Sequence, residues 1–182
     1  MLRVQISHDK GLIMTSSDDA LLQALKSGDE KGVFAALKDG ATAHRHVRGE
    51  LGHVYRDDVP LIVLAAWTGI PNIVKALLDA GAFLNDECVD WQTPPTSDDA
   101  LPFYGPSTLG VACKKGHEAV VELLLGLGAR VSKEDVYYTL EGGNPPILEL
   151  LIETDKDFIM GSPSYGRSPL GRALADGRLD LV

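Results

Sequence analysis

The chain has little of what most functional classes require. Its two cysteines, Cys88 and Cys113, lie in separate segments with no C-x-x-C spacing, which removes a disulfide framework and a cysteine-based zinc site and fits a reducing compartment. Long apolar runs are missing: the longest, LIVLAAW at 61–67, is far short of the roughly 20 residues that span a bilayer. The first residues, MLRVQISHDKGLIM, lack the continuous apolar core and small-residue cleavage pattern of a signal peptide. Positive charge is also scarce. Seventeen Lys and Arg stand against 26 Asp and Glu, a formal net charge of -9, whereas affinity for nucleic acid rests on clustered cations. The expectation is a cytoplasmic or nuclear chain with no membrane partner and no nucleic-acid partner, suited to basic or apolar protein surfaces.

Catalytic patterns are equally thin. GPSTLG and GSPSYG place serines near glycines without forming the G-x-S-x-G elbow. Asp57/Asp58 and Asp98/Asp99 are adjacent acids in loop-like stretches, an arrangement that solvent ordinarily satisfies. The glycines of GLGARV follow a helical pattern, whereas a dinucleotide fingerprint must follow a strand and open a helix. No enzyme and no cofactor are expected.

What the chain does have is self-similarity. GIPNIVKALLDAGA (69–82) and GHEAVVELLLGLGA (116–129) superpose without a gap, and GDEKGVFAALKDGA (28–41) has the same length and ending. Ahead of each first glycine lies a segment with small or apolar residues at matching offsets: DALLQALKS, PLIVLAAWT and STLGVACKK. In HEAVVELLL, Val120/Val121 and Leu124/Leu125 are four apart and share one helix face, which must be buried. Ala65 and Ala66 in one first helix, and Ala112 and Cys113 in the next, are small enough to let neighbouring helices approach closely. The unit reads as helix, glycine break, helix, loop.

These motifs resemble the ankyrin repeat, whose unit runs T-P-L-H-x-A-A, then G-H, an I-V/L-L helix and a closing G-A-D-V-N. SPLGRALADGRLDLV matches the first half and GHEAVVELLLGLGARVS the second, while DVYYTLEGGNPPILELLIETDKD is a weaker copy with Pro145 and Pro146 in the first turn of its second helix. The resemblance implies an all-α repeat solenoid of stacked helix-turn-helix units: an N-terminal extension at 1–17 and a repeat domain at 18–182, with repeats at about 18–58, 59–105, 106–132, 133–166 and a partial one at 167–182. Break glycines at 28, 69, 116, 143 and 177 are 41, 47, 27 and 34 residues apart, against a family period of about 33. Two inter-repeat loops are therefore enlarged, and irregular loops are expected in place of β-hairpin fingers.

The resemblance also implies a protein-protein interaction scaffold that holds a protein partner on its concave side and loops. First-helix residues next to the break glycines, Trp67, Thr68, Lys114, Lys115 and Glu141, are the expected contacts. With them go Trp91, Phe103 and Tyr104 of the second long loop, because aromatic anchors dominate interface energetics. Asn85 occupies the family's closing Asn, a turn-tying position and in some members a hydroxylation substrate. An alternative reading makes the chain a metal- or small-molecule-binding sensor or enzyme through the His44/His46/His53 loop, since three histidines bind zinc where they converge; the expected reading has no metal. The fifth unit stops at Val182, five residues after Gly177. The chain is accordingly expected to be part of a larger protein, with the face around Ile147, Leu151 and Ile152 partly uncovered and open to self-association through the incomplete repeat.

Overall fold

The computed structural model describes residues 4–5, 15–51, 54–90 and 103–154. It is mostly helical, with eight helices and five short strands among the described residues, and falls into two compact units, Met1–Thr108 and Leu109–Val182. No described helix is long and apolar enough to cross a membrane. The expected partial repeat at 167–182 lies outside the described residues.

In the first unit, α1 (Ser16–Ser27) and α2 (Glu30–Lys38) form one antiparallel pair; α3 (Leu61–Thr68) and α4 (Pro71–Asp79) form the next. Helix α1 packs on α3 and α2 on α4. The apolar spacing explains what is inside: Leu21, Leu22 and Leu25 of α1, Val33 of α2, and Ile73 and Leu77 of α4 are almost completely excluded from solvent. Burying a Leu or Ile side chain contributes about 1.5–3 kcal/mol, so these few positions dominate the unit. Helix α3 differs in kind. All six residues Leu61, Ile62, Val63, Leu64, Ala65 and Ala66 are buried, as befits a helix enclosed on every side.

The second unit repeats the plan with α5 (Thr108–Lys115), α6 (Glu118–Gly126), α7 (Lys133–Gly142) and α8 (Pro145–Thr154). Helix α8 packs on α6 and α7. Val120, Val121, Leu124, Val136, Ile147 and Leu151 form its core. Pro145 and Pro146 open α8, where a missing N–H costs nothing. Ile147 and Leu151 are fully buried and Ile152 is half-buried.

The long connections also differ from expectation. In place of irregular loops, β1 (Val4–Gln5), β2 (His46–Leu51), β3 (Val54–Pro60), β4 (Glu87–Asp90) and β5 (Phe103–Ser107) form an antiparallel sheet in the order β1-β2-β3-β4-β5. The residues favour this: Val47, Val54, Tyr55, Val59 and Val89 are β-branched or aromatic, side chains that fit a pleated surface. A register shift between Val47 and Gly49 marks a bulge, a common use of glycine in a strand.

Gly116 joins α5 to α6 at φ 73, and a β-carbon there would lie 2.7 Å from Asn144 Nδ2. Gly126, at the end of α6, has open space around it. Gly116→Val is expected to cost about 2–3 kcal/mol by backbone strain, whereas Gly126→Ala is neutral or stabilising by up to about 1 kcal/mol. Urea unfolding of the two variants checks both, and equal losses would contradict the assigned turn.

Candidate functional site

The first long connection leaves the helices at a buried ionic anchor. Thr15 caps α1 by accepting from Asp18 N at 3.2 Å, and Asp18 Oδ2 accepts in return from Thr15 N at 3.0 Å. The same carboxylate reaches forward 24 residues, where Thr42 N donates to Oδ1 at 2.8 Å, and Arg45 Nη1 lies 3.2 Å from Oδ2. Their side chains are only 3% and 9% exposed for Asp18 and Arg45. Burial is the largest influence on the Asp18 carboxyl and raises it. The Thr42 and Thr15 hydrogen bonds and the Arg45 charge outweigh burial and bring its pKa below the ordinary 3.8.

From this anchor the backbone carries the order onward. Arg45 O accepts from Leu61 N at 2.9 Å, so the carbonyl beside β2 supplies the N-terminal bond that Pro60, with no side-chain cap, cannot provide to α3. One helical pair later Asp86 does the same: its carbonyl accepts from Thr108 N at 3.1 Å and Thr108 Oγ1 at 3.2 Å. Asp86 Oδ2 in turn meets His46 Nε2 at 3.2 Å.

On this frame the expected contact residues occupy different environments. Trp67 and Thr68 end α3, both half-buried. Thr68 Oγ1 donates to Ala65 O at 2.7 Å and accepts from Ile70 N at 3.3 Å, so its hydroxyl is spent on closing the turn. Phe103 and Tyr104 lie on β5, paired in register with Asp90 and Val89. Trp91 lies outside the described residues. Asn85 is exposed in the turn closed by Asp86 N and Phe83 O, 3.3 Å apart.

In the second unit, two of the expected contacts meet. Lys114 Nζ lies 3.0 Å from Glu141 Oε2 and 5.5 Å from the centre of the Tyr138 ring; Tyr137 stacks edgewise against Tyr138 at 6.1 Å. Lys115 is exposed one residue on. Helix α7 comes this close because Gly142 has no β-carbon: one built there would lie 2.7 Å from Lys114 O and 3.1 Å from Cys113 O. Beneath the ion pair, Cys113 is fully buried against Thr139. Its thiol is pushed up to about 12, chiefly by burial and further by the Asp135 charge. Asp135 forms a second capping box, with Ser132, on α7.

The three histidines divide. His46 is engaged with Asp86, His44 is exposed with its ring 6.3 Å from that of Phe83, and His53 lies outside the described residues. Among the described residues no three His, Cys, Asp or Glu side chains come together as a metal site.

Sequence reasoning missed Asp18, Arg45, Asp86 and Tyr138. The signal for Asp18 was present in Thr15-x-x-Asp18, a capping-box spacing repeated in Ser132-x-x-Asp135.

Removing Asp18 tests the anchor. Asp18→Ala leaves Arg45 and the Thr42 N–H without their carboxylate and is expected to cost about 3–5 kcal/mol, as breaking a buried pair does. Glu141→Ala removes a half-exposed pair and is expected to cost less than about 1 kcal/mol. Because folding lowers the Asp18 pKa, its stabilisation is present above the unfolded value near 4 and is lost as pH falls through the folded one. Chemical denaturation of wild type and Asp18→Asn between pH 6 and 2 is expected to show a smaller acid loss in the variant. A separate measurement concerns the thiols: Cys88 and Cys113 are free and buried, so a thiol-specific reagent at pH 8 is expected to modify neither until the chain unfolds.

Compared with known proteins, the chain matches no protein-family model and no curated protein.

Proposed function

We propose that this chain is a protein-interaction scaffold of the ankyrin-repeat kind, intracellular and without a catalytic step, which takes a protein partner on its first helices and on the connections that follow the second helices. The observation that carries the reading is the recurrence of one unit. Helices α1, α3, α5 and α7 are each followed by a left-handed glycine at 28, 69, 116 and 143 and by a second helix. In the first unit, helix packs on like helix from one pair to the next. A layer of this sort has no enclosed centre in which to build a reaction site; it has faces, and repeat proteins bind through them.

The ends of the first helices are the proposed contact surface. Trp67 presents a large amphipathic side chain that the core covers only in part, and the hydroxyl of its neighbour Thr68 is already committed. In the second unit, Lys114, Lys115, Tyr138 and Glu141 combine an aromatic face with charges of both signs, an arrangement that selects partners by electrostatic complementarity. The net charge of -9 favours a partner with a basic or apolar contact surface.

A photo-crosslinking residue at 67 is expected to capture a protein partner from cells, and the same residue at Glu122, exposed on α6, is expected not to. With the captured partner purified, Trp67→Ala is expected to weaken binding by at least tenfold, in line with the roughly 2 kcal/mol or more of an aromatic anchor, at unchanged melting temperature. A lower melting temperature with unchanged affinity per folded molecule would instead assign Trp67 to the core.

A further inference from the structure

We draw no further inference here: the strongest candidate, the open groove of about 700 Å3 between α1 and α2 in the first unit, with Ala20, Ala24, Gly32 and Ala35 along it and Asp29 and Asp39 among its lining residues, is a face of small and polar side chains, and nothing in the structure shows what covers it.

Discussion

Asp18 stands at the first turn of α1 with its carboxylate out of water, held by Thr15, by Thr42 N–H and by Arg45. A buried ion pair adds little net stability over a well-packed apolar one, but losing either member is costly. Its effect is therefore to fix geometry. Because Thr42 and Arg45 must both reach one carboxylate, the chain can leave the first helical pair in only one direction, and the carbonyl of Arg45 arrives where Leu61 N–H needs an acceptor. The start of the first hairpin and the N-terminus of α3 are thus tied to one side chain.

The parts of this fold legible in the sequence are those governed by short-range rules. Val120/Val121 and Leu124/Leu125, Ile73 and Leu77, and the glycines at 69 and 116 state helix faces and turns within a few residues of each other. Strand pairing obeys no such local rule. Arg48, Glu50, Arg56, Asp57 and Asp58 make β2 and β3 look like polar loop, and their valines become informative only once the helices bring both ends of the connection together. Asp18 is marked locally by its capping-box spacing from Thr15, but its pairing with Arg45 was hidden for the same reason, because nothing near Arg45 in the sequence points to it.

The candidate site was legible in part, along the same division. Position alone identifies Trp67, Lys114 and Glu141, since each stands two residues before a break glycine. Position does not reveal that Lys114 and Glu141 satisfy each other, or that Tyr138 lies beneath the ammonium. That depends on Gly142, whose hydrogen lets α7 settle against the last carbonyls of α5. The histidine cluster shows the converse. Spacing put His44 and His46 together, but the chain turns them to different neighbours, Phe83 and Asp86.

The uniform burial of Leu61, Ile62, Val63, Leu64, Ala65 and Ala66 has a consequence for the life of the chain outside its folded state. An amphipathic helix released from its layer can still turn a polar side to water; α3 has none. On the ribosome, or after a cut in the preceding hairpin, this segment stays adhesive until α1 and α4 have packed against it. It is β-branched at Ile62 and Val63 and carries no charge, the composition of stretches that seed intermolecular strands. Asp57 and Asp58 immediately before it, and Lys75 and Asp79 after it, are the charges nearest to this stretch in the sequence, and charges that flank an apolar segment oppose such association.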